Sequence, residues 1–130
     1  MSLNHIRLSQ KEKDQLITIK RTTGIENWNI LCRWAFCLSL REGSVPPDQN
    51  LPSDSNVEMD WATFGGPYKD IYLAVLKERC IQDGKQLDDD TLSQQFRLHL
   101  RRGIGYLFGD KEARNLPGMV AQSLAGQASS

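Results

Sequence analysis

Trp28-Asn29-Ile30-Leu31-Cys32-Arg33-Trp34-Ala35-Phe36-Cys37-Leu38-Ser39-Leu40 is apolar in a way that an ordinary surface helix is not. Wound at 3.6 residues per turn, its hydrophobic side chains spread over nearly the whole circumference, with Arg33 the main interruption. A surface helix shows one apolar stripe, whereas a helix apolar on all sides is buried on all sides. The spacing predicts a helix over about Trp28–Glu42, with Asn27 as its cap. A chain of 14.7 kDa has little material to cover such a helix completely. The expectation is a homo-oligomer, most simply a tetramer, joined through Leu31, Trp34, Leu38 and the turn at Gly24.

Upstream, His5-Ile6-Arg7-Leu8 alternates polar and apolar with the period of a strand. Ser9-x-x-Glu12 then forms a capping box, in which hydroxyl and carboxylate each satisfy an orphaned backbone donor. The helix it starts runs to about Thr23 and stops at Gly24, which adopts a left-handed helix end at little steric cost. Strand, helix, glycine turn and buried helix together make a ribbon-helix-helix-like start, a plan in which strands of two chains pair.

Downstream, residues 43–56 are rich in Pro, Ser, Asp and Asn and read as an exposed acidic loop. Val57, Met59 and Trp61 alternate with Glu58 and Asp60, as in a short extended piece. Gly65-Gly66-Pro67 is a turn into a third helix ending near Asp83-Gly84, with Ile71, Tyr72, Val75, Leu76 and Cys80 expected on its inner side. Asp88-Asp89-Asp90 places negative charge at the start of a fourth helix, about Thr91–Phe108, striped by Leu92, Phe96, Leu100 and Leu107. The predicted fold is mainly α: a compact four-helix domain with a short N-terminal strand over residues 1–109, and a loosely ordered tail over 110–130.

The chain of 130 residues is 39% hydrophobic, 8% aromatic and 25% charged, enough for one globular core. No apolar run approaches the roughly 20 residues of a membrane helix, and no signal-peptide pattern opens the chain. A cytoplasmic protein without a membrane partner is expected. Cys32, Cys37 and Cys80 lack zinc-like spacing and read as reduced, mostly buried thiols. Sixteen cations balance sixteen acids overall, but not locally. Residues 1–24 carry Arg7, Lys11, Lys13, Lys20 and Arg21 against Glu12 and Asp14, a net of +3, whereas residues 43–66 carry four acids and no cation. A neutral chain so arranged can present one basic face and one acidic face.

Catalytic constellations are sparse. His5 and His99 fall in different elements, and a lone histidine at a stripe margin reads as a packing or hydrogen-bonding residue. Gly103-Ile104-Gly105 lacks the third glycine and the preceding strand of a dinucleotide fingerprint. Helical glycines cost about 1 kcal/mol each relative to alanine, so close packing or an early helix end explains them better. Adjacent aspartates at 88–90 diverge and fit helix capping rather than a metal. No metal and no organic cofactor is expected. Among the cations, Lys13 and Lys20 stand seven apart with Arg21 nearby, and Arg97 and Arg101 stand at i and i+4 on what reads as an outer face. Any one of these reads as a solvated surface group. Together with Arg7 and Lys11 they make a surface for phosphate backbone, largely indifferent to base sequence.

Several stretches also resemble the DndE family, the small E protein of the Dnd DNA sulfur-modification system. They are Ile6-Arg7-Leu8-Ser9, Thr23-Gly24, Asn29-Ile30-Leu31-Cys32-Arg33, Phe36-Cys37-Leu38-Ser39-Leu40, Asp60-Trp61-x-Thr63-Phe64-Gly65, Tyr72-Leu73-Ala74 and Phe96-Arg97-Leu98-His99-Leu100-x-Arg102-Gly103-Ile104. The likeness spans about residues 5–109. It implies a role in DNA phosphorothioation, in which sulfur replaces a non-bridging phosphate oxygen, as a small, helical, oligomeric DNA-binding component. Partner Dnd proteins, among them a cysteine desulfurase, would carry the sulfur and ATP chemistry. Two rivals remain open at this point: a DNA-nicking or sulfur-handling enzyme using His99 or a cysteine, and a pure protein-docking subunit whose basic face meets an acidic partner.

Overall fold

The computed structural model describes residues 3–109, so the C-terminal tail named above lies outside the described residues. In chain order the elements are β1 (Ile6–Arg7), α1 (Gln10–Thr23), α2 (Trp28–Arg41), β2 (Glu58–Met59), α3 (Trp61–Gly65), α4 (Lys69–Gln82) and α5 (Asp89–Gly109), with a 3₁₀ turn at Gly66–Tyr68. Four long helices and a two-stranded sheet agree with the mainly α reading. The short α3 is an addition to it.

Local signals set the helix ends. The Ser9 hydroxyl accepts from the Glu12 N–H at 3.1 Å, and Glu12 Oε1 accepts from the Ser9 N–H at 3.4 Å, completing the capping box; the hydroxyl also donates to Glu12 Oε1 at 2.8 Å. Gly24 closes α1 at φ 74°, and its N–H donates to the Lys20 carbonyl. Asp88 accepts from the N–H and the hydroxyl of Thr91, both at 2.8 Å, and so caps α5. Asn27 holds the cap position of α2 but makes no side-chain cap bond.

The ribbon-helix-helix expectation is modified at β1. This strand pairs antiparallel with β2 of its own chain, Ile6 opposite Met59 and Arg7 opposite Glu58. Its edge is thus satisfied internally by a segment some fifty residues away, and a second chain is not required for that purpose.

The core lies between α2 and α5. Phe36, Phe64 and Phe96 are fully buried, and their rings meet edge-on or tilted at centroid distances of 4.7–5.7 Å, with Trp61 edge-on to Phe96 and tilted against Phe64. Gly103 marks the closest approach of the two helices, since a Cβ there would fall inside the Ala35 carbonyl group. Close packing and an early helix end were the two expected reasons for the helical glycines, and for Gly103 it is close packing. Within one chain α2 buries Leu31, Cys32, Ala35, Phe36 and Ser39, leaves Trp34 and Leu38 half-buried, and exposes Cys37. Leu31 therefore belongs to the chain's own core, which removes it from the residues expected at an oligomer contact. The inner side of α4 also needs correction. Leu76 and Cys80 face the core, but Ile71 and Val75 point outward, because neighbouring elements cover only one stripe of that helix.

Candidate nucleic-acid interface

The capping box that starts α1 also decides where one predicted contact ends up. Glu12 is buried by α5, and Arg97 reaches it there at 3.2 Å. The same guanidinium donates to the Pro52 carbonyl at 2.9 Å, to Ser53 Oγ at 2.8 Å and, more weakly, to the Leu51 carbonyl at 3.4 Å. Its side chain is 0% exposed. Arg97 was expected on an outer face with Arg101, and that placement is corrected. The acidic loop folds over this part of α5 and turns an apparent surface cation into an interior clamp.

Other cations divide into several settings. Arg7 donates to Glu58 at 2.6 Å and to the Ser55 carbonyl at 3.0 Å, so β-pairing brings it against a carboxylate. Lys13 Nζ donates to the neutral Asn56 side chain at 2.6 Å. Helical spacing puts Lys20 on the flank of Lys13, with Arg21 facing outward between flanks. Lys11 lies on the opposite flank of α1, in a shallow recess with Gln15 and with Phe108 of α5. Arg101 is half-buried and stands seven residues from Phe108, so it borders that same side. Among the described residues, Lys11, Lys13, Lys20, Arg21 and Arg101 form no ion pair with a carboxylate.

The acidic segment does not stand apart as a separate face. Asp54 accepts from the Gln10 N–H at 2.8 Å, at the start of α1, and Glu58 holds Arg7 and His5. One of its four acids, Glu58, is thus spent on a cation of the N-terminus, and a second, Asp54, on a backbone N–H there.

Two arginines that sequence reasoning did not single out close the far end of α2. Arg79 is buried, pairs with Asp83 at 3.0 Å and donates to the carbonyls of Leu40, Glu42 and Ser44. Arg102 donates to Ser39 Oγ, the Ser39 carbonyl and the Ser44 carbonyl. Cations favour a helix C-terminus, and these two supply donors to its unpaired carbonyls. A basic residue three positions before or after a buried helix partner gives no signal of this from spacing alone.

His99 lies in the interior at 1% exposure, with Nδ1 2.8 Å from Ser39 Oγ. Burial, reinforced by the positive charges of Arg79 and Arg102, pushes its pKa down to about 4. The neutral imidazole is a hydrogen-bonded packing residue, as its position at the stripe margin suggested. Burial pushes the Cys32 thiol up to about 12, with the Glu12 charge adding to the effect, so it stays protonated. Cys32, Cys37 and Cys80 are unpaired, and no group of three or more His, Cys, Asp or Glu side chains suited to a metal occurs among the described residues.

Comparison with known proteins fits this arrangement. The family model for DndE, described as DNA sulphur modification protein DndE, matches residues 5–115. The chain belongs to the DndE family. Its fold is similar to the crystal structure of DndE from Escherichia coli B7A involved in DNA phosphorothioation modification, at TM-score 0.69 and 29% identity, covering 82% of this chain and 98% of that one. A glycine-to-lysine mutant of DndE involved in DNA phosphorothioation matches at TM-score 0.63 and 26% identity with the same coverage. No curated protein matches the chain significantly. As a DndE protein the chain is part of the DNA phosphorothioation system, and no helix among its described residues is long and apolar enough to cross a membrane.

Proposed function

We propose that this DndE chain is a DNA-binding accessory subunit of the phosphorothioation machinery that grips the phosphate backbone of duplex or nicked DNA. The observation that carries the reading is the set Lys11, Lys13, Lys20 and Arg21 along α1, joined by Arg101, free of carboxylate partners among the described residues. Arg97 leaves the set because it is enclosed, and Arg7 contributes less because Glu58 already neutralises it. Backbone contacts of this kind carry no base information, which suits a system that modifies phosphate rather than a base.

Assembly strengthens the reading. A homo-oligomer, most simply a tetramer, would repeat the α1 cations and extend a modest local charge into a continuous surface. Trp34, Leu38 and the Gly24 turn are the contacts proposed for it, since they remain half-buried or exposed within one chain. Other Dnd proteins, including the cysteine desulfurase, are the proposed partners, in the cytoplasm and without a cofactor in this subunit.

The test is a salt series of gel shifts on wild type and on the double variant Lys13→Ala/Lys20→Ala, with the assembly state checked in both. Each lost phosphate contact should reduce the log–log salt slope by about 0.9 on duplex DNA. An unchanged slope would remove the Lys13 flank from the interface and leave Lys11 and Arg101. Failure of the wild type to bind DNA at low salt would favour docking to an acidic protein partner.

A further inference from the structure

Gly103 and Gly105 sit two residues apart in α5, yet only one has a packing reason to be glycine. A Cβ at Gly103 collides with the backbone of α2, whereas a Cβ at Gly105 meets nothing within 4 Å. Gly105 is not a helix end either, because α5 continues to Gly109. Glycine inside a helix is unfavourable relative to alanine, so an unexplained one points to space that is kept open. That space is a recess of about 630 Å³ between α5 and the 44–49 loop.

Its walls have a consistent chemistry. Pro46, Pro47 and Leu98 are apolar, Tyr106 is exposed at the edge, and Arg101 lies one helical turn from Gly105. Arg102 also lines the recess, but its guanidinium is committed to Ser39 and Ser44 and thereby fixes the loop wall in place. Arg101 makes no ion pair with a described carboxylate, so one cation, one aromatic ring, an apolar wall and a missing side chain line the same recess.

We propose that this recess takes one unpaired nucleotide of a DNA strand, its base against Tyr106 over Gly105 and its phosphate on Arg101. A planar ring with an attached anion matches the aromatic face, the open floor and the single charge together, and base–aromatic stacking is tolerant of base identity. The inference rests on the reading that the chain binds DNA. It adds a place for a nucleotide that has left the duplex, where backbone contacts alone would treat flush and frayed strands alike.

The experiment compares a nicked duplex carrying a one-nucleotide 2-aminopurine flap with the same nicked duplex lacking the flap, using full-length wild type, Gly105→Leu and Tyr106→Ala. Wild type should prefer the flap about tenfold and quench its fluorescence, as one base–aromatic stack would. Gly105→Leu fills the recess and should lose the preference while binding the flush duplex like wild type, and its melting temperature should not fall. Tyr106→Ala, which removes an exposed ring, gives the same readout without altering the helix backbone. Equal binding of flap and flush duplex by wild type, or a preference unchanged in both variants, would overturn the proposal and leave backbone binding standing. If wild type binds neither duplex, saturation transfer to dAMP decides for the recess alone. Transfer that both variants abolish supports it, and no transfer overturns it.

Discussion

Arg97→Met should unfold the domain far more readily without touching any DNA contact. The wild-type guanidinium meets Glu12 at 3.2 Å inside the protein and donates to Pro52 and Ser53 at 2.9 and 2.8 Å. Methionine keeps much of the volume but leaves the Glu12 carboxylate buried without its cation, with only Ser9 to hold it. Breaking a buried pair by removing one partner costs about 3–5 kcal/mol. At about 4 °C per kcal/mol, where the ranges for smaller and larger domains meet, the melting temperature should drop by about 12–20 °C. The lower part of that range applies if water reaches the vacated site. Thermal and urea unfolding of Arg97→Met, Glu12→Gln and the double variant would measure the coupling, and the double variant should lose less than the sum of the singles. A loss under about 1 kcal/mol in Arg97→Met, well below what an orphaned buried charge costs, would refute the clamp.

Other expectations follow from single residues. Gly103→Ala should destabilise by about 3 kcal/mol or more, because its Cβ overlaps the Ala35 carbonyl and the helices must part. Gly105→Ala should raise stability by about 1 kcal/mol in the same melting assay. Gly24→Val should cost about 1–2 kcal/mol for forcing a β-branched residue to φ 74°, and sedimentation would show whether the proposed oligomer loosens with it. The folded pKa of His99, about 4, lies below the ordinary value of 6.5. Its contribution is therefore complete above pH 6.5 and is lost as pH falls from there toward 4, a loss of about 3 kcal/mol. A His99→Gln variant should show a flatter stability profile between pH 6.5 and 4.

Features set by neighbours in sequence were legible. Ser9 and Glu12 announce their capping box, Gly24 its left-handed turn and Asp88 its cap, while Gly103 left close packing and an early helix end both open. Family membership was legible too, from scattered stretches that together span the domain. What the residues could not announce was coverage from a distance. Spacing puts positions 97 and 101 on one side of a helix, but the Leu51 and Pro52 carbonyls and the Ser53 hydroxyl that enclose Arg97 come from a loop some 45 residues earlier. Ile71 and Val75 form as good an apolar stripe as Leu76 and Cys80, and which stripe faces inward depends on where α3 and α5 lie. His5-Ile6-Arg7-Leu8 reads as a strand, but not as one whose partner is Glu58–Met59 of the same chain.

The same distance problem bears on how charge should be read in a neutral protein. Counting cations by segment makes residues 1–24 basic and residues 43–66 acidic, which suggests two faces. Folding instead brings the two segments together, Asp54 onto the start of α1 and Glu58 onto Arg7, and lays the loop carbonyls over Arg97 of α5. Arginines, with five donors in a rigid fork, are suited to such multiple acceptors, and Arg79, Arg97 and Arg102 are each spent on backbone carbonyls. Lysines lack that fork and remain on the outside of α1. Phosphate affinity in this chain should therefore follow the lysines of α1 with Arg21 and Arg101, while loss of the other arginines should register as instability. Measuring unfolding and DNA affinity side by side, for Lys20→Ala against Arg102→Ala, separates the two. Lys20→Ala should lower affinity at unchanged stability, and Arg102→Ala should lower stability because the α2 carbonyls lose their donors. The reverse pattern would mean that the exposed lysines are ordinary solvated groups and that the basic surface lies elsewhere.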